Sequence, residues 1–248
     1  QRSTSMVFEQ LEGLGVGGAL DIFLNRLGRA SGEAWRLVSM LRERFDMVTA
    51  VVPFSASAGA TQVALGTDAL LMTEAASLSP IEPPFRRMSG GDTTVGMTSS
   101  FDVHHFVGFL KREFGLEELS DEAAANSTLW NKVDPLSIGA AERSYQNDRI
   151  VTRRCLETHL DAEADRTRIN RIMNEVTSGV LSAHFPITRR DCEARLGLKV
   201  LKPGAKLSRS IMALHRYYDD LFQLEGNVSL GTDENYLVSY AGFIDTQY

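Results

Sequence analysis

The chain has 248 residues, 43% of them hydrophobic, and a formal net charge of -6, enough for one large α/β domain or two small ones around a substantial core. The acidic balance argues against a general nucleic-acid or anionic-membrane binder, because phosphate affinity comes from clustered Lys and Arg, and no such stripe occurs. Only two cysteines occur, Cys155 and Cys192, with no Cys-x-x-Cys or Cys/His spacing, so a disulfide scaffold and a zinc site are both disfavoured.

Gly13-Leu-Gly-Val-Gly-Gly18 precedes a strand rather than following one, so it lacks the setting of a nucleotide-binding loop. Leu20 to Leu24 reads as a buried strand, and Ala34, Leu37, Val38, Leu41 and Phe45 then recur at helical spacing. Met47 to Phe54 is the next strand. A small-residue turn, a short helix and the strand Ala69 to Met72 follow it. This alternation predicts a mostly parallel sheet covered by helices. Pro80, Pro83 and Pro84, then Ser89-Gly90-Gly91, mark a loop leaving that core.

Ser99-x-x-Asp102 forms a capping box ahead of an apolar stripe of Val103, Phe106, Leu110 and Phe114. A longer helix is expected from about Ile138 to His159, and another carries Ile169, Ile172, Met173, Val176 and Val180 on one face. Asp161, Glu163 and Asp165 stand at i, i+2, i+4 and do not converge on a metal; charge stabilisation at a helix start explains them. Thr188-x-x-Asp191 caps a short helix that Gly197 ends. After Tyr218 come the turn signals Asp219-Asp220, Gly226-Asn227 and Gly231-Thr232-Asp233, and Tyr236 to Ile244 reads as a strand. The expected organisation is a main domain over residues 1–218 and an extension over 219–248 that packs on the core or on a neighbouring subunit.

Ser57 lies just before Ala58 and Gly59, where an apolar strand turns into a helix. A serine there holds its hydroxyl clear of the backbone, beside the unpaired amides of a new helix. Those amides steady a developing oxyanion. The pattern points to Ser57 as a nucleophile and to acyl transfer or hydrolysis. The plainer alternative is a packing turn, since small residues let a helix approach a sheet with no chemistry involved.

The order L-D-I-F-L-N, L-G-R, V-V-P-F-S-A-S-A-G-A, A-L-G-T-D-A-L-L-M and S-L-S-P-I-E-P resembles the serine dehydrogenase proteinase family. That family belongs to the Clp-protease/crotonase superfamily and is similar to signal peptide peptidase A. P-L-S-I-G-A-A-E-R (Pro135 to Arg143) and S-A-H-F-P-I-T-R-R-D-C-E-A-R-L-G-L (Ser182 to Leu198) extend the resemblance over about residues 10 to 215. It implies an α/β fold with a Clp/crotonase-like ββα superhelical core and a helical C-terminal half. It also implies serine peptidase chemistry without ATP in the same chain, and self-association. Ser57 matches the family's nucleophile, and the Ala58 amide matches one oxyanion donor.

The second donor of the family comes from a Pro-Gly-Gly turn, which here reads Leu27-Gly28-Arg29. Gly28 keeps the first glycine. Arg29 replaces the second and has to reach the needed backbone geometry against a steric cost of about 1 kcal/mol or more. Loss of one oxyanion donor typically costs about 10²–10³ in rate. Arg29 therefore marks either a weakened site or one retuned towards an acidic substrate group.

A serine needs a base at neutral pH. The family resemblance places a histidine about one βα unit after the serine or supplies a lysine, and S-L-S-P-I-E-P contains no histidine. Lys132 is a lysine base if burial lowers its pKa; a surface loop is its plainer role. His184, in H-F-P-I-T, is the histidine best anchored in a motif, or a hydrogen-bond partner of its own loop. Lys111 and the pair His104-His105 lie on the expected helix over 103–114, where a solvated helix face is their plainer role. Glu82 is a candidate to orient a base or line the pocket wall, and a solvated loop carboxylate explains it as well.

The expected protein is thus a cytoplasmic, homo-oligomeric serine hydrolase acting on a peptide or protein, with no metal or other cofactor and no nucleic-acid partner. Tyr217, Tyr218, Phe222, Tyr236, Tyr240 and Phe243 are its candidate interface anchors. No apolar run approaches the roughly 20 residues that span a bilayer. The chain begins at Gln1 rather than Met, which suits a processed or trimmed N-terminus, so membrane association is expected only through a segment outside it. The competing expectation is a catalytically silent Clp-like scaffold that binds peptides. An acyl-CoA enzyme of crotonase type comes third, for want of a CoA-binding signature.

Overall fold

The computed structural model describes residues 2–24, 31–81, 84–87, 96–99, 135–177, 182 and 185–222. The chain divides into two compact units, one built from the chain before Ile81 and after Ile150, the other from Ile81–Ile150.

The first unit is α/β. Helix α1 (Arg2–Glu12) leads to β1 (Ala19–Phe23), α2 (Ser31–Arg44) and β2 (Met47–Val52). Then come β3 (Ser55–Ala56), α3 (Ala58–Leu65), β4 (Ala69–Met72) and β5 (Ser77–Leu78). The four-stranded sheet has the order β1-β2-β4-β9, all parallel, with β9 at Val200–Leu201. Its register pairs Ala50 with Ile22 on one side and Leu70 on the other. The apolar runs read as strands at β2 and β4 are buried through most of their length, as central parallel strands require. β1 is different: as an edge strand it is only partly buried, which corrects the expectation of a buried strand there.

The turn into the sheet depends on glycine. Gly17 and Gly18 adopt φ of 90° and 76°, a region closed to most side chains, and bring the chain round so that the Asp46 carboxylate accepts the Gly18 amide. Leu11, Leu41, Phe45 and Val48 form a buried cluster there between α1, α2 and β2. Each such side chain contributes about 1.5–3 kcal/mol on burial.

A second, three-stranded sheet has the order β3-β5-β8, with β8 (Ile187–Thr188) antiparallel to β5. Most of the described residues beyond 134 are helical. α4 (Pro135–Leu156) contains the division between the units, and α5 (Arg166–Thr177) buries Ile169, Ile172, Met173 and Val176 as its periodicity predicts. α6 (Arg189–Ala194) has the expected capping box of Thr188 and Asp191, and Gly197 follows at φ 66°.

α7 (Ala205–Phe222) runs through Asp219 and Asp220, which were expected as a turn. The 80–91 loop reading is also corrected: in the second unit β6 (Pro84–Arg87) pairs antiparallel with β7 (Gly96–Ser99). Pro84 opens its strand, a position where a missing N–H is tolerated. The helix expected over 103–114 and the strand Tyr236 to Ile244 lie outside the described residues. Among the described residues, no helix is long and apolar enough to cross a membrane.

Candidate functional site

Ser57 is the N-cap of α3, with an extended backbone (φ -74°, ψ 172°), and its side chain makes no capping hydrogen bond. An N-cap serine ordinarily turns its hydroxyl onto the N2 or N3 amide. The Ser57 carbonyl accepts the Thr61 amide at 2.7 Å, which leaves the Ala58, Gly59 and Ala60 amides without partners inside α3. They carry the partial positive charge of the helix start.

The turn is held from both sides. Thr73 Oγ1 donates to the Pro53 carbonyl at 2.6 Å, and the Ser77 amide donates to the Phe54 carbonyl at 2.8 Å. The Ser79 amide reaches the Ala56 carbonyl at 2.8 Å, and the Thr61 hydroxyl lies 3.2 Å from that carbonyl and 2.8 Å from the Ser79 carbonyl. α3 itself is buried along its length from Gly59 to Leu65, so Ser57 cannot move without disturbing the core.

One histidine comes to this turn that the sequence reading passed over. His215, on α7, is 6% exposed and stacks on Phe54, with ring centroids 5.9 Å apart and planes 21° from parallel. Its Nε2 lies 3.3 Å from Asp219 Oδ2, and its Nδ1 is buried with no hydrogen-bond partner among the described residues. One turn on from His215, Tyr218 meets Phe23 at 6.0 Å. Phe23 ends β1, and Phe54 follows the end of β2 by two residues. α7 therefore crosses the carboxyl ends of the parallel strands, where open α/β sheets place their ligands. The signal for it was an i, i+4 His–Asp pair on the helix face that also buries Ile211.

The other proposed site residues fall differently. Ala58 occupies the first helical position after Ser57. Gly28 and its neighbours Leu27 and Arg29, Lys132, His184, Lys111, His104, His105 and Glu82 all lie outside the described residues. Tyr218 is half-buried against Phe23, and Tyr217 is 60% exposed.

Two further polar clusters are structural. At the amino ends of the strands, Arg42 donates to Asp68 Oδ2 and to the Gly66 carbonyl, each at 2.7 Å, and Asp68 also accepts the Val48 amide. His159 stands near this clamp; burial, then the Arg42 charge, hold its pKa down at about 4. A small cleft between α5 and α6 is lined by Glu175, Asp191 and Arg195 among others. Its Arg195 and Glu175 pair with each other and Asp191 caps α6, so their charges are already matched. Among the described residues, no cluster of His, Cys, Asp or Glu is arranged to hold a metal ion. Asp161 instead accepts the Glu163 and Ala164 amides ahead of α5.

No family model, curated protein or solved structure matches this chain.

Proposed function

We propose that the chain is a serine hydrolase, an ATP-independent peptidase of Clp/crotonase-like architecture, with Ser57 as nucleophile. The observation that carries this reading is the position of Ser57 at the start of a buried helix, its hydroxyl not used as a cap, where a parallel sheet opens at its carboxyl edge. A substrate carbonyl oxygen placed at the α3 start meets amides already oriented by the fold, Ala58 first among them. Such preorganised donors stabilise a developing oxyanion without reorganisation. In the same reading Gly28 supplies the second donor, Lys132 and His184 are base candidates, and the protein is a cytoplasmic homo-oligomer acting on peptide or protein substrates without a cofactor.

The test is intact-mass spectrometry after treatment with a fluorophosphonate probe, with Ser57→Ala alongside. A single adduct that disappears in the variant is the expected result. Folded wild-type protein that takes up no adduct, or an adduct that persists in Ser57→Ala, overturns the reading and favours a silent peptide-binding scaffold, for which the altered Leu27-Gly28-Arg29 turn is the supporting feature. Arg29→Gly is expected to raise hydrolysis of small esters, since it restores the backbone freedom of the second donor. An unchanged rate would clear Arg29 of any role in limiting the site.

A further inference from the structure

We propose that His215, oriented by Asp219, is the general base of Ser57; the inference rests on the serine-hydrolase reading above. Its starting point is the tautomer. A neutral imidazole carries one proton, and the Asp219 carboxylate oxygen 3.3 Å from Nε2 favours it there, which leaves the lone pair on Nδ1. That Nδ1 is buried and has no partner among the described residues, in a side chain 6% exposed. Buried polar side-chain atoms are ordinarily hydrogen-bonded, so one left without a partner calls for an explanation. An acceptor nitrogen whose opposite nitrogen is held by a carboxylate is what a proton-abstracting imidazole requires.

Its place in the fold is the second observation. The ring lies flat against Phe54, three residues before Ser57 in a turn whose carbonyls at Pro53, Phe54 and Ala56 are all bound. The stacking fixes the plane of the imidazole against the same rigid turn that fixes the serine. His159 also has an unpartnered Nδ1, but it lies beside the clamp at the opposite, amino end of the strands.

The step balances as follows. When a substrate carbonyl is bound, the Ser57 Oγ–H bond breaks and its electron pair forms the bond to the carbonyl carbon. The proton passes to His215 Nδ1, directly or through one water. The imidazolium is stabilised by Asp219 at Nε2 and returns the proton to the leaving group as the tetrahedral adduct collapses. A water then repeats the sequence on the acyl-enzyme.

Two measurements on the full chain test this. The rate of fluorophosphonate labelling at Ser57 is compared for wild type, His215→Gln, Asp219→Asn, Lys132→Ala and His184→Ala, with melting temperatures measured alongside. His215→Gln is expected to slow labelling by about 10²-fold or more, the usual contribution of a positioned base. The ¹⁵N shifts of the His215 ring in the unmodified protein are expected to show protonated Nε2 and bare Nδ1, and Asp219→Asn is expected to redistribute that proton. Labelled wild type with His215→Gln equally fast, or with the loss confined to Lys132→Ala or His184→Ala, overturns this inference and leaves the hydrolase reading standing. An Nδ1–H tautomer overturns it without any variant. Wild type unlabelled at Ser57 overturns both.

Discussion

A Cβ on Gly66 would stand 2.7 Å from both γ-carbons of Val38. Val38 is 1% exposed and β-branched, so it cannot swing aside. The φ of Gly66 is -89°, so space and not backbone conformation demands glycine here. Gly66→Ala is expected to separate α2 from the end of α3 and cost about 1–3 kcal/mol, read as a lower urea midpoint with an unchanged slope. A midpoint equal to wild type would mean that α2 yields without cost. The thiols give a second prediction at this scale. Burial pushes Cys155 up to about 12, and burial with the Asp191 charge does the same for Cys192. Since the thiolate is the reactive form, neither should react with an aromatic disulfide reagent in the native protein, and both should react in denaturant. Prompt native reaction at either would contradict its burial.

Among the elements, α6 depends most plainly on a local signal. Thr188 Oγ1 accepts the Asp191 amide while the Asp191 carboxylate accepts the Thr188 amide. Thr188→Ala should cost about 1 kcal/mol and Thr188→Ser much less, and equal unfolding midpoints for the two variants would refute the cap. This box and Gly197 were legible in the sequence because their partners lie within a few residues. The strands β2 and β4 were legible because central parallel strands are continuously apolar. The two-residue strands β3, β5, β8 and β9 were not, being too short to show a period. Asp219-Asp220 reads as a turn in isolation; within α7, Asp219 reaches back one turn to His215, and the helix continues. Ser57 could be found from its own neighbours. His215 could not, because its meaning rests on Phe54, far away in the chain, and no local pattern encodes that contact.

On the scale of the α/β unit, the two ends of the parallel sheet are chemically distinct. The carboxyl end holds Ser57 and His215; the amino end holds the Arg42–Asp68 clamp, with the Thr158 hydroxyl also donating to the Gly66 carbonyl. Part of the acid sensitivity of folding belongs to the amino end. Above pH 6.5 His159 is neutral both folded and unfolded and gives no pH dependence. As pH falls from 6.5 towards about 4, the unfolded chain binds a proton that the folded chain refuses, so stability declines across that window. Asp68 acts lower. Burial works against its charge, but the Arg42 hydrogen bond and the Val48 amide outweigh this and hold its carboxyl below the ordinary 3.8. Its contribution is complete above that value and is lost as pH falls through the lowered one. His159→Gln should therefore lose less stability than wild type between about pH 7 and about pH 4.5, with the two curves converging in slope below the His159 window. Urea midpoints across that range decide it: parallel declines in the two proteins would show that His159 takes up its proton as freely folded as unfolded, and that the clamp's charge does not reach it.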